Sequence, residues 1–560
     1  VTADLGDLPV GEPDPLPPSQ ADPVIRATST AIGGPLGRRV RFGAGGWWTP
    51  LRVLVLLVTV TFAIGTMQKS SCATHGYGHE YQYTRVCYTD VLALWSNEHL
   101  DQGKLPILDN ETPTPDPTTG KVTHTYVEYP VLIGVLMMAA QGPTHLLVSD
   151  QPSSSQQAAI DAFAADQQDK LSSASTKYKI DQYYADRAQT AYQMRQARYF
   201  FDFTAFLLLL CAIAVVVCTA LTAGRRRVWD AAMVAVAPAL LLNGDVNWDL
   251  AAVAFTSAAL LAWSRRRVAL AGVLLGLGTA TKFYPVLLFV PLLALCLRAG
   301  QLRAWARAFG AGLVAWLIVD IPFWIASPAG FGRFYTFSQT RGTEYNSLFY
   351  AWSYFVWGAG HFWDPVRSAR GESPTWLNFW GVLLLLLGLV AVALLCLLAP
   401  RRPRLAQAAF LTVLVFVLTN KVFSPQYTLW LLPLAVLARP RWRLFLVWQA
   451  TEVVLMITLY MQLINTDTNG AKGIGYGWFF GTGLVPRDAL LLLLAGLVVR
   501  EALHPDGDVV RAEGRDDPGG GVLDEAPDMF PVPYDERGDD AWEPPPDTRA
   551  DELALHCSGA

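Results

Sequence analysis

Charge is what this sequence is short of: Asp, Glu, Lys and Arg make up 16% of it, against about 25% in an ordinary soluble chain. With 52% hydrophobic residues and a mean hydropathy of +0.28, that shortfall argues against a soluble globular protein. Lysine is scarcer still, nine residues against 34 arginines. This bias, with heavy use of Ala, Gly, Pro and Leu, suggests a GC-rich bacterial source. The seven cysteines have no metal-ligand spacing, so no metal site is read from them. Cys211, Cys218, Cys296 and Cys396 fall in apolar runs and read as packing residues. No internal repeat is found. More than forty mostly polar residues precede the first apolar run, so no cleavable signal peptide is expected.

What the chain does have is long apolar runs. Residues 51–65, 205–221 and 380–399 come close to the roughly 20 residues that cross a bilayer. Twelve segments are drawn: 48–67, 199–222, 228–243, 248–263, 268–281, 283–297, 304–325, 376–399, 405–420, 427–438, 442–463 and 484–499. The expected class is therefore an all-α polytopic membrane protein of about 12 transmembrane helices, occupying 47–500. Residues 1–46 and 501–560, rich in Pro and Gly and the latter acidic, are expected to be disordered tails.

Arginine clusters set the orientation: 38–41, 225–227, 265–267, 298–307, 401–404 and 439–443. Positive loops stay cytoplasmic. The twelve segments separate successive clusters by even numbers of crossings, which makes both tails cytoplasmic. Residues 129–148 are apolar enough to cross, but counting them would strand every later cluster outside. A re-entrant or juxtamembrane helix in the outer loop 68–198 is expected instead, with Pro130 at its start and a Gly–Pro break at 142–143. Within that loop, 150–198 has helix-forming composition and is expected to form a soluble hairpin. Cys72 and Cys87 share the loop and could pair in an oxidising compartment.

Charged groups in a membrane protein are costly and mark function. Around the outer ends of the segments stand Asp90, Glu128, Asp245, Asp249, Lys282, Arg341, Glu344, Asn346 and Lys421. Lys282 and Lys421 sit in short outer turns from which positive-inside bias should exclude them, so each could meet an anionic head group such as a lipid phosphate. The bland alternative is snorkelling to the interface. A carboxylate at Asp90, close to the bilayer surface, could serve as general base toward a hydroxyl. Asp320 and Glu452 lie within segments; Glu452 reads as a hydrogen-bonded core acid.

In order along the chain, YTDVLALW, EYPVL, NGDVNWDLAAV, GLGTATKFYPVLLFVPLL, TEYNSLFYAW and NKVFSPQYTLWLLPL resemble the pattern of glycosyltransferase family 87. These are polyprenyl-phosphate-mannose-dependent transferases of the GT-C superfamily, best known from actinobacteria. YPV stands where YPP is common, NGDVNW replaces a Gly-Gln-x-Asn stretch, and 150–198 is an insertion. The resemblance implies a GT-C fold whose first outer loop carries juxtamembrane helices over the active site. It implies Asp90 as catalytic base of an inverting transfer from a polyprenyl-phosphate sugar, most simply mannose, to a cell-envelope glycolipid or polysaccharide. Lys282, Arg341 and Lys421 would hold the donor phosphate, and Glu128, Tyr129, Asp245, Asn247, Tyr284, Glu344 and Asn346 the sugars. The implied partners are donor, acceptor and membrane lipid, with no nucleic acid, cofactor or metal. A transporter or lipid-linked sugar flippase is the rival class, although polar groups collected at one face speak against midplane binding. A scaffold protein indifferent to loss of Asp90, or an arabinosyl-type transferase, are the others.

Overall fold

Inside a bilayer, long runs of Leu, Val and Ala can satisfy their backbone groups only as helices or closed barrels, and here they form helices. The computed structural model describes residues 22–33, 48–75, 81–108, 114–115, 122–123, 126–148, 191–357, 374–511 and 516–529. Most of the insertion 150–198, and the tails over 1–21, 34–47 and 530–560, lie outside the described residues.

The helices begin with α1 (Pro23–Gly33), α2 (Pro50–His75), α3 (Asp90–Asn97), α4 (Val131–Leu147), α5 (Ala191–Ala223) and α6 (Pro238–Asn243). Then come α7 (Asp249–Ser264), α8 (Val268–Thr281), α9 (Phe289–Arg298), α10 (Leu302–Ala326), α11 (Pro328–Thr340) and α12 (Leu348–Trp357). The last are α13 (Thr375–Leu398), α14 (Leu405–Thr419), α15 (Thr428–Ala438), α16 (Trp442–Asp467) and α17 (Val485–Leu503). Single helical turns link several of them, and β1 (Thr114–Pro115) pairs antiparallel with β2 (Val122–Thr123). The chain is all-α and polytopic.

Among the described residues, six helices are long and apolar enough to cross a membrane unaided, at Pro50–Ala73, Arg195–Ala223, Leu302–Ala326, Thr375–Leu398, Trp442–Asp467 and Tyr476–Leu503. The other expected segments are shorter. The 14 residues of α8 rise about 21 Å, less than the roughly 30 Å hydrocarbon core. The segment drawn at 228–243 is broken, because Pro238 opens α6 and cannot donate to the turn before it. The amide of Ala239 at the break donates instead to Gln449 Oε1 of α16, 3.0 Å away.

The bundle has two chemically distinct ends. At one end the last turn of α17 and the polar run after it bind the arginine loops. Arg404 meets Asp508 at 2.6 Å, Arg298 meets Asp528 at 2.7 Å, and Arg439 meets Glu501 at 2.9 Å. Arg402 Nη2 donates to the carbonyls of Leu523 and Ala526, Arg227 to Val509 O, and Trp263 Nε1 to Gly520 O. Four clusters assigned to one side by parity are thus gathered at one end, and Trp263 brings the fifth, 265–267, to the same run. The tail expected to be disordered from 501 is folded over 501–511 and 516–529, because its carboxylates and carbonyls satisfy buried guanidinium groups. The expectation for 1–46 is likewise corrected over α1: Asp22 accepts from Val24 N at its start and from Trp442 N of α16.

The opposite end carries the turns 244–248, 282–284 and 420–424, each between short helices. Helix α4 belongs to this end at both of its own ends. Next to its start, Val127 N donates to Pro106 O, 2.9 Å away. Later, Gln141 Nε2 donates to Leu100 O, and His145 Nε2 lies 2.8 Å from the same carbonyl. A helix tied along its length to the 100–106 segment runs beside that segment, as a juxtamembrane helix would.

Candidate active site

Asp90 opens α3, and its own amide donates to Val246 O at 2.8 Å, which fixes the start of the helix against the 244–248 turn. Thr89 reinforces the contact by donating to Asp245 O. The chain leading into it is pinned from α2. Cys72 and Cys87 are joined as a disulfide with Cα atoms 5.6 Å apart, and Lys69 Nζ donates to Val86 O at 3.0 Å.

The Asp90 carboxylate accepts on both oxygens. Tyr88 Oη donates to Oδ1 at 2.6 Å and Asn247 Nδ2 to Oδ2 at 2.7 Å. The same Asn247 nitrogen lies 2.8 Å from Tyr129 Oη. Burial pushes the Asp90 carboxyl above its ordinary range; Tyr88, Asn247 and Lys282 pull it back in part. A carboxylate so placed is a stronger base than one in water.

A polar cavity of about 380 Å³ opens on Asp90. Glu128, Tyr129, Asn247, Lys282, Arg341, Glu344 and Asn346 also line it. Beside it lies a larger chamber of about 610 Å³, walled by apolar residues of α13 and α14 such as Leu377, Val382, Leu385 and Phe416. Glu128, Tyr129, Lys282 and Arg341 line both spaces and mark where they meet.

The cations at that junction are held, not loose. Lys282 Nζ is 3.5 Å from Asp249 Oδ2 and 4.6 Å from the centre of the Tyr129 ring. Asp249 also accepts from Trp430 Nε1 at 2.8 Å. Arg341 lies over the Phe337 ring. Lys421 belongs to the apolar chamber alone, where it donates to Asn378 Oδ1 at 2.7 Å and Gln339 O at 3.2 Å. Burial, and secondarily Arg341, lowers its pKa to about 8. Glu344 accepts both of its short contacts from Ser424 Oγ, at 2.9 and 2.7 Å, and burial pushes its carboxyl up. Burial raises Glu128 as well, against the pull of Arg341 and Arg333.

Two expected sugar contacts stand elsewhere. Asp245 lines neither space; it is buried beside Lys69 and Thr66, which pull its carboxyl down while burial raises it to about 6. In a tight turn, residues two apart need not face the same way, and here Asn247 takes the contact with Asp90. Tyr284 lines only the apolar chamber, stacked on Trp430 with its hydroxyl 3.0 Å from Thr256 Oγ1. Residues not singled out from the sequence include Tyr88, Asn378, Ser424 and Trp430. Arg487 was also missed: fully buried, it stacks on Phe423 at 3.8 Å and donates to Asn346 O. Among these only Tyr88 carried a signal, its place two residues before Asp90. Glu452 accepts from Trp448 Nε1 at 2.8 Å, as a core acid should. Among the described residues no group of His, Cys, Asp and Glu is arranged to hold a metal ion.

A family model for glycosyltransferase family 87 matches residues 190–425. The matched stretch includes Asn247, Lys282, Arg341, Glu344 and Lys421; Asp90, Glu128 and Tyr129 precede it. No curated protein matches. With the apolar helices, the match indicates a multi-pass membrane glycosyltransferase.

Proposed function

We propose that the protein transfers mannose from a polyprenyl-phosphate donor to a hydroxyl of a cell-envelope glycolipid or polysaccharide, with Asp90 as general base. The observation that carries this reading is the placement of Asp90. Its carboxylate, held by two neutral donors, faces a polar cavity that joins an apolar, helix-walled chamber at a cluster of cations. Such a pair of spaces suits a donor with a polar head and a long apolar tail. The tail lies between α13 and α14, the phosphate sits near Lys282, Arg341 and Lys421, and the sugar projects toward Asp90.

Asp90 takes the proton of the acceptor hydroxyl as that oxygen attacks the anomeric carbon. The bond from that carbon to the phosphate oxygen breaks, and polyprenyl phosphate leaves with the electron pair. The new glycosidic bond has inverted configuration. Charge grows on the phosphate as the bond breaks, so cations already fixed by Asp249, Tyr129 and Asn378 stabilise the transition state without reorganising. Glu128, Glu344 and Asn346 are placed to accept from, or donate to, sugar hydroxyls.

The site end is proposed to face the non-cytoplasmic side. Two independent features support this: the arginine clusters sit at the other end, and the Cys72–Cys87 disulfide needs an oxidising compartment. The test is purified protein in nanodiscs with radiolabelled polyprenyl-phosphate sugars, mannose and arabinose among them. Mannose transfer is expected, with at least a thousandfold loss in Asp90→Asn and unchanged melting. Transfer at wild-type rate by Asp90→Asn removes Asp90 as base, and preference for arabinose corrects the sugar.

A further inference from the structure

A third cavity, of about 250 Å³, lies between α8, α10 and α11. Tyr129 lines it too, and among the described residues only Tyr129 lines all three spaces. The groove meets the reaction site at Tyr129 and shares Pro130, Phe283 and, on α11, Phe334 and Tyr335 with the chamber assigned to the donor. From there it runs between α8 and α10, whereas that chamber lies against α13 and α14. Its walls are apolar, among them Phe283, Phe309, Leu313 and Trp316. Leu313 and Phe309 are 44% and 38% exposed on a helix that crosses the membrane, so the groove opens toward lipid.

Its charge differs in sign from that of the donor chamber. None of the described residues lining it is Lys or Arg; its one ionisable acid is Asp320. Asp320 is only 4% exposed, and its Oδ2 has no hydrogen-bond partner among the described residues. A buried acceptor left unsatisfied is costly and rare. Asp320 lies six residues, about 9 Å of helix rise, before the site end of α10. That is the depth at which the polar–apolar junction of a membrane lipid sits when its head group lies at the surface. A phosphate would be repelled there, whereas a hydroxyl or amide N–H would complete the Asp320 carboxyl.

We propose that this groove seats the apolar chain of the acceptor. The acceptor is then a hydroxyl-bearing lipid, uncharged at the level of Asp320, and a hydroxyl or amide near its polar–apolar junction donates to Asp320 Oδ2. This rests on the transferase reading and narrows its acceptor to a lipid-anchored one. Two chains enter along two faces of the bundle, and their heads meet at Tyr129, one hydrogen bond from Asn247 and two from Asp90.

The test uses the full chain in nanodiscs and a decyl mannoside carrying a diazirine at the end of its alkyl chain. Cross-links are expected in α8 and α10. They should fall at least fivefold in Leu313→Trp, which fills the groove from its lipid side, and about threefold or more in Asp320→Ala. In a second arm, polyprenyl-phosphate mannose is supplied with methyl or decyl mannoside. The decyl acceptor should show a KM at least tenfold lower, and Leu313→Trp should erase that advantage while leaving the donor KM unchanged. Cross-links confined to α13 and α14, or equal KM values for the two acceptors, overturn the proposal. Labelling needs no turnover, so intact labelling in the groove without transfer to either mannoside supports the groove and counts against the transferase reading.

Discussion

Asp90 is oriented by a tyrosine and an asparagine and not by a cation, which makes its protonation sensitive to a single hydroxyl. The base must be ionised to work, so kcat/KM should fall as pH drops through its raised pKa. Tyr88 donates to the ionised form and so lowers that pKa. Tyr88→Phe should therefore move the acid limb to higher pH, by about one unit if the bond contributes about 1.5 kcal/mol; an unmoved limb would separate Tyr88 from the base. The alkaline side belongs to Lys421. Its pKa is lowered to about 8, so its charge is present below that pH and lost above it. Donor KM should rise above pH 8 in the wild type, and the rise should vanish in Lys421→Arg, whose charge persists. Most of the charged site was legible in the sequence, because charge near a bilayer has few reasons to be there. Asn378 and Ser424 were not, since neutral polar groups leave no such trace, and Tyr88 offered only its place two residues before Asp90. Asp245 was misplaced because the motif NGDVNW does not say which way its turn faces.

At the level of elements, helix lengths shape the site. Helices α7, α8, α14 and α15 are short, and the turns at their site ends supply Val246, Asn247, Lys282 and residues 424–427 to the wall of the polar cavity. The apolar runs gave these helices with small errors at their ends, and arginine parity placed α4 beside the bundle instead of through it. The break at Pro238 was missed because composition around it stays apolar. Helices α8 and α10 touch through small residues: a Cβ at Gly272 would overlap Ala308 O, and one at Gly276 would overlap Gly312 O. Close backbone approach of this kind is how membrane helices adhere. Gly272→Leu should cost about 1–3 kcal/mol through overpacking, visible as a lower melting temperature in detergent. Because α8 carries Lys282 at its end, donor KM should rise with it.

Seen whole, the molecule has a reactive end and a fastened end. The fastening was the least legible part of the fold. An acidic, Pro- and Gly-rich composition argues for disorder, and only the guanidinium groups it meets give 501–529 a reason to fold. Asp508 is the most buried of its carboxylates, accepting from Arg404 and Gln407 while Arg404 also holds the carbonyls of Leu437 and Ala438. Asp508→Ala leaves that guanidinium buried without its counter-charge and should destabilise the protein by about 3–5 kcal/mol. Unchanged melting would mean that the run is held elsewhere.

A ribosome makes the chain from its N-terminus, so Asp508, Asp516 and Asp528, paired with Arg404, Arg401 and Arg298, emerge after every arginine loop they bind. While the helices are being threaded into the bilayer, those arginines are bare and free to hold their loops back. Only when synthesis has passed residue 528 are the same groups drawn together by carboxylates. On the proposed orientation, one set of side chains acts first as a signpost for insertion and afterwards as a bolt across the finished bundle.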